Sequence, residues 1–361
     1  MKNRDILFDD SLSLLRSMIK TPSFSREEEG TAAVIEAFMR DVGIVPRRAG
    51  NNVFAFAEDY DPTRPTVLLN SHHDTVKPNA GYTRDPFSPD IEDGTLFGLG
   101  SNDAGASVVS LLAAFREFHD NRNLRFNLCI ALTAEEEVSG KGGIESLLPL
   151  LGNIELAVVG EPTGMNPAIA ERGLMVVDCT CRGTGGHAAR KEGDNAIYKA
   201  LEGIDRIRRH RFDRTSPYLG DTMMTVTVIN AGTQHNVIPA ECRYTVDVRM
   251  TESYTHEELL ELIGDMCGGE AVARSMRLRP SHISESHPFV SYAVSKGLTP
   301  FGSPTLSDQA LIPAPSVKIG PGDSARSHSA DEYIRLEEIR HAIDTYIDLI
   351  GHYILKQTPA L

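Results

Sequence analysis

Apolar runs of strand length alternate with stretches of helical spacing in the first half of the chain, and each run stops near a side chain able to hold a metal ion. Residues 66–71 read as a buried strand, and His72 follows at once. Residues 126–132 form a second such run, after which come Glu135, Glu136 and Glu137. A third, residues 154–159, ends in Gly160-Glu161. Between them, residues 104–118 carry apolar side chains at helical intervals. Ser25-Arg26-Glu27-Glu28 has the form of a capping box and opens a helix ending near Gly43. Buried strands alternating with helices predict a parallel sheet with crossover connections. In an open sheet of this kind, sites form in the crevice at the carboxyl ends of the strands.

The texture then changes. Residues 174–181 read as strand, 196–209 as helix, 222–229 and 243–250 as two strands. A helix over 255–266 opens on a second capping box, Thr255 with Glu258, and 271–278 supply a last strand. The order β-α-β-β-α-β is the ferredoxin-like arrangement. Residues 316–319 and the long helix 336–355 then return to the first pattern. The expected organisation is a catalytic domain of residues 1–171 and 282–361 with an insertion at 172–281, each of ordinary domain size.

Composition narrows the function. The 361 residues are 41% hydrophobic and 24% charged, enough to bury a core. A net charge of −14 speaks against a nucleic-acid partner, which needs a basic face. No uninterrupted apolar segment reads as a signal peptide or a membrane span. The five cysteines are sparse and lack zinc-ribbon spacing, so a reducing cytoplasm is the expected setting. Cys179 and Cys181 share one strand face and read as small core residues.

Five islands carry the chemistry: His72-His73-Asp74, Asp103, Glu135-Glu136-Glu137, Gly160-Glu161-Pro162-Thr163, and His328 at the end of a Gly/Ser-rich loop. Taken singly, each has an ordinary alternative: loop histidines, a helix cap, a surface acidic run, a turn glutamate. Taken together, two imidazoles and several carboxylates suit a pair of zinc-like ions sharing a bridging carboxylate. The spacing of His72 and Asp74 lets the carboxylate support the second ring nitrogen of the histidine. His73 should point the other way. Asp103 precedes a helix, where its ordinary role is a cap and its sharper one a bridging carboxylate, two roles that are compatible. Three adjacent acids repel one another unless cations compensate. One of them can bind metal while its neighbour takes a proton from water.

These islands, with Gly320-Pro321-Gly322 and the run His328-Ser329-Ala330-Asp331-Glu332-Tyr333, resemble the aminoacylase, acetylornithine deacetylase, succinyl-diaminopimelate desuccinylase and carboxypeptidase G family over nearly the whole chain. The resemblance implies a zinc-aminopeptidase-like α/β domain, its central mixed sheet flanked by helices, with a ferredoxin-like lid and dimerisation domain inserted. It implies two divalent ions, zinc first and cobalt or manganese next. His72, Asp103 and Glu161 would hold the first; Asp103, Glu137 and His328 the second. Glu136 would be the general base. The family pattern is Asp-Glu-Glu where this chain has three glutamates, so a shift to Glu135 and Glu136 is the competing registration. In the insertion, His187 matches an imidazole that polarises the scissile carbonyl, reaching the neighbouring subunit's site in dimeric members. Asn236 matches a further substrate contact, and Arg249 a group gripping a substrate carboxylate.

The expected activity is hydrolysis of the amide bond of an N-acyl amino acid, first N2-acetyl-L-ornithine, as in arginine biosynthesis. The segment from Thr305 to Ala310 departs from the Thr-Ser-Asp-x-Arg pattern of the desuccinylases, lacking the arginine. N-succinylornithine, N-acetylcitrulline, N-succinyl-diaminopimelate or a dipeptide are the alternative substrates. A non-catalytic metal and carboxylate binder is the remote alternative. The expected partners are a small substrate and a second copy of the chain.

Overall fold

The computed structural model describes residues 2–190 and 192–355. They form two compact units: Met1–Ile169 with His282–Phe301 and Ser307–Leu361, and Ala170–Ser281 with Gly302–Leu306.

The first unit is built on a mixed sheet. Its strands run in the order Arg47–Ala49, Asn52–Phe56, Asn127–Thr133, Thr66–His72, Ile154–Val159, Ser316–Lys318. The last four are mutually parallel, and Asn52–Phe56 joins antiparallel to Asn127–Thr133. The three buried runs of the sequence therefore lie side by side. Thr66–His72 and Asn127–Thr133 are buried at every position, as strands covered on both faces must be. Leu68, Cys129, Ala131, Ala157 and Val159 pack on one side against Ile144, Leu147 and Leu151. The helices Ala106–Phe118 and Leu336–Ile354 pack on each other, and Arg4–Ile19 packs against both. Among the described residues no helix is long and apolar enough to cross a membrane.

Register is what matters for function. His72 lies opposite Thr133, Asn70 opposite Val159, and Val159 opposite Lys318. Parallel strands in this register end at one level, so the loops after His72, Thr133, Val159 and Lys318 leave the sheet together.

Two local expectations fail. Ser25 and Glu28 do not form a capping box; the helix Glu29–Asp41 starts without a side-chain cap bond. Their side chains go to buried loop groups described below, which have a stronger demand for partners than a solvent-facing helix start. Asp103 does not cap a helix either. Helix Ala106–Phe118 begins after Gly105, and Asp103 sits before it in an irregular turn with φ −118° and ψ 97°.

The second unit has the strand-helix-strand-strand-helix-strand order. Its antiparallel sheet runs Met223–Ala231, Glu241–Met250, Gly173–Arg182, Glu270–Ala273. The last strand is shorter than the expected 271–278. Alternate residues Met175, Val177, Cys179 and Cys181 turn into a core shared with the helices Ala196–Arg209 and His256–Met266. Thr255 and Glu258 do form the second capping box. All five cysteines are buried and free.

Candidate metal centre

The strand ends deliver the candidate ligands. His72 is the last residue of its strand. Its Nδ1 donates to the carbonyl oxygen of Asp74 at 2.9 Å. The expected carboxylate support is thus corrected: the Asp74 Oδ1 stands 3.5 Å away, and the main-chain carbonyl is the partner. Because a carbonyl only accepts, Nδ1 carries the proton. In the neutral ring Nε2 then turns a lone pair toward Asp103 Oδ1 at 3.2 Å, Glu161 Oε1 at 3.6 Å and Glu136 Oε2 at 3.8 Å. A lone pair facing three carboxylate oxygens is repulsive unless a proton or a cation lies among them.

Asp103 also faces the other imidazole. Its Oδ2 stands 3.7 Å from Nε2 of His328, and that nitrogen is 2.9 Å from Glu137 Oε2. One oxygen of Asp103 therefore serves His72 and the other His328. Two ligand atoms each ~2.1 Å from a tetrahedral ion stand about 3.4 Å apart, so the spacings of 3.2 and 3.7 Å around Asp103 suit pairs of atoms that share an ion. The donor atoms of His72, Asp103 and Glu137 all lie within 4.8 Å of one another, as do those of His72, Glu136 and Glu161.

The protonation of the group shows the same shortage of positive charge. Burial alone would depress His72, but the charge of Glu136 and the nearby carboxylates of Asp103 and Asp74 hold it well above its ordinary range. Glu161 is pushed up to about 8 by burial, with repulsion from Asp103 adding to it against the pull of His72. Burial raises Glu136 well above a normal carboxyl, and Glu161 and Asp308 add to it. His328 rises to about 9, chiefly through its bond to Glu137. Such sites are completed by cations of the zinc, cobalt or manganese class, which accept imidazole and carboxylate together.

The acidic run is held by its backbone. The amide of Glu135 donates to Glu28 Oε1 at 3.1 Å, that of Glu136 to Asp74 Oδ1 at 3.0 Å, and that of Glu137 to Asp74 Oδ2 at 3.2 Å. Ser25 Oγ donates to Asp74 as well, at 2.7 Å. Glu135 points elsewhere: its carboxylate takes the Gly142 amide at 3.4 Å and lies 3.8 Å from Arg26. His73 faces away too, bonded to Thr31 Oγ1 and the Asn51 carbonyl.

Glu161 depends on close packing. A Cβ on Gly160 would lie 2.7 Å from Leu111 Cδ1 and 2.8 Å from Ser107 Cβ, so only glycine lets the strand end approach the helix. The turn beyond it is tied to the loop leading toward His328: the amides of Thr163 and Gly164 donate to the carbonyls of Gly320 and Gly322.

Three acids beside the centre escaped the sequence reading. Glu28 looked like part of a helix cap. Asp308 is buried and accepts from Thr133 Oγ1 at 2.8 Å; burial lifts it to about 6. Glu332 is buried under the Asp103 turn and is pushed up to about 8 by burial and then by the charge of Asp103. Only its place in the Asp331-Glu332-Tyr333 motif marked it.

In the second unit, Gly186–His187 pairs antiparallel with Val237–Ile238, and the Ala188 amide donates to the Asn236 carbonyl at 3.0 Å. His187 and Asn236 are thereby neighbours. Arg249 makes a two-pronged bond with Asp247 on its own strand, Nε to Oδ1 at 2.8 Å and Nη2 to Oδ2 at 3.1 Å.

Comparison with known proteins agrees with this geometry. A succinyl-diaminopimelate desuccinylase of Cereibacter sphaeroides strain KD131 is 28% identical, over 95% of this chain and 99% of its own. The crystal structure of aminopeptidase PepT from Bacillus cereus superposes with a TM-score of 0.73 at 18% identity, covering 96% of this chain and 98% of the other. The YXEP protein of Bacillus subtilis, described as a dinuclear metal-binding peptidase, gives 0.71 at 15% identity over 96% and 99%. Residues 68–352 match peptidase family M20/M25/M40. The chain belongs to that family and is a metal-dependent hydrolase of amide bonds.

Proposed function

We propose that this enzyme removes the acyl group from an N-acyl amino acid, with two divalent cations held by His72, Asp103 and Glu161 and by Asp103, Glu137 and His328. The observation that carries the reading is Asp103, with one oxygen toward each of two imidazoles. When bound, the cations supply Lewis acidity to the scissile carbonyl and lower the pKa of the attacking water. The chain's own groups do the rest. The Glu136 carboxylate takes the proton of the water and gives it to the leaving amine. Asp74 fixes the main chain from which Glu136 and Glu137 project. The orientation of Glu135 supports the registration with Glu136 as base and Glu137 as ligand.

His187 is assigned to the oxyanion. Its Nδ1 accepts from the Ala189 amide at 3.1 Å, so the neutral ring presents an Nε2–H donor. Asn236 is assigned to the substrate as well. Arg249 is assigned to the α-carboxylate; its pairing with Asp247 steadies the fork, and its benefit is positional. The edge strand Met223–Ala231 exposes Val228 and Ile229, the helix Ala196–Arg209 that packs on the strand exposes Tyr198 and Leu201, and these exposed apolar groups support a homodimer through the second unit.

Two substrates lead. The relatives named succinyl-diaminopimelate desuccinylase support an N-succinyl amino acid. Ala310, buried where the desuccinylase pattern has arginine, offers no guanidinium to a second carboxylate and supports N2-acetyl-L-ornithine. The test is kcat/KM of the zinc-, cobalt- or manganese-loaded enzyme on N2-acetyl-L-ornithine, N-succinyl-diaminopimelate, N-succinylornithine, N-acetylcitrulline and dipeptides. Hydrolysis confined to a dipeptide would overturn the deacylase reading.

A further inference from the structure

The turn that carries Asp103 has little regular structure of its own. Its backbone leaves the helical region at Asp103 and Ala104, and helix Ala106–Phe118 starts only afterwards. The amides of Gly100, Asn102 and Asp103 need acceptors that no helix supplies. One side chain provides all three. Glu332 Oε2 accepts from Gly100 at 3.0 Å, and Oε1 accepts from Asn102 at 2.8 Å and from Asp103 at 2.9 Å. Glu332 is 2% exposed. Its own backbone is fixed, since its carbonyl accepts from the Gly98 amide at 2.9 Å beside the pairing of Tyr333–Arg335 with Thr95–Phe97.

We propose that Glu332 is a positioning residue for the metal centre, holding the Asp103 turn so that the two carboxylate oxygens of Asp103 are divided between the two cation sites. The inference rests on the two-cation reading of the centre. Asn102 extends the reach of Glu332. Its Nδ2 donates to the Asp323 carbonyl at 3.1 Å and its Oδ1 accepts from the Asp323 amide at 3.0 Å. Asp323 starts the turn Ser324–Arg326, which ends two residues before His328. One buried carboxylate thus steadies Asp103 directly and the His328 loop through Asn102. A carboxylate is required. It offers two acceptor oxygens to three donors, whereas glutamine offers one and sets its NH2 against a backbone N–H.

The test is Co2+ titration of metal-free protein by calorimetry, for wild type and Glu332→Gln, with circular dichroism to confirm the fold. Wild type takes two ions per chain. The variant binds at least one of them about 10- to 100-fold more weakly, the range for losing a group that orients a ligand. Thermal melting gives a second readout: the rise in Tm on adding Co2+ is smaller in the variant, which a purely structural role would leave unchanged. Asn102→Ala covers the case in which Glu332→Gln does not fold; it weakens one ion about 10-fold and leaves the other within about twofold. Equal affinity for both ions in a folded variant overturns the positioning role alone. A wild type that binds fewer than two ions overturns the two-cation reading with it.

Discussion

Asp74 Oδ1 accepts the backbone amide of Glu136 at 3.0 Å, while its other oxygen takes the next amide of the chain. The aspartate of the His-x-Asp motif is therefore tied to Glu136, the proposed general base, through the main chain rather than to the imidazole through its carboxylate. Asp74→Ala removes the acceptor of two backbone amides. It should lower kcat about 10- to 100-fold with a smaller change in KM. Steady-state kinetics at saturating metal check this, and a change confined to KM would count against it.

Glu136 is assigned to proton transfer and kept out of both ligand sets. Glu136→Gln should reduce kcat by about 10²- to 10⁴-fold while leaving the metal content near that of wild type. Kinetics paired with elemental analysis decide it. An unchanged rate would remove Glu136 from the reaction.

Stripped of cations, the centre should store protons. His328 titrates near 9 rather than 6.5, and Glu161 near 8 rather than 4.5. Between pH 6.5 and 9 the folded chain holds more protons at these groups than the unfolded chain, so stability falls as pH rises. The contribution of His328 is complete below 6.5 and lost through 9. The penalty of ionising buried Glu161 is absent below 4.5 and complete above 8. Cations replace those protons. Metal-free protein should lose Tm across this window and metal-loaded protein should not. Metal binding at pH 7 should release protons, as calorimetry in buffers of different ionisation heat will show. A flat Tm in both forms would contradict the assignment.

Gly160 leaves no room for a methyl group, with Leu111 Cδ1 and Ser107 Cβ within 2.8 Å of the missing Cβ. Gly160→Ala should destabilise by about 1–3 kcal/mol through overpacking and displace Glu161. Denaturant unfolding measures the first effect and metal affinity the second.

The edge strand Met223–Ala231 is half exposed at Val228 and Ile229. Val228→Lys with Ile229→Lys should convert a dimer to a monomer in size-exclusion chromatography with light scattering. A charged edge resists strand pairing. A wild-type monomer would dispose of the dimer outright.

The sequence by itself determined the elements and the identity of the chemistry. Runs such as residues 66–71 and 154–159 centre on short apolar stretches, Val67-Leu68-Leu69 and Leu156 to Val159, that read as buried strands by their length, and His72 and Glu161 follow them by adjacency alone. Helix 196–209 was equally legible, because apolar periodicity is a local property of the chain. What the tertiary structure decided was partnership. Ser25 and Glu28 have the spacing of a helix cap, yet one bonds Asp74 and the other the Glu135 amide, far along the chain. Asp103 has the look of a cap and stands instead between two imidazoles. Glu332 meets the Asp103 turn across 229 positions of sequence. Short polar side chains satisfy whichever unpaired group burial brings nearest, and only the register of the folded sheet fixes which group that is.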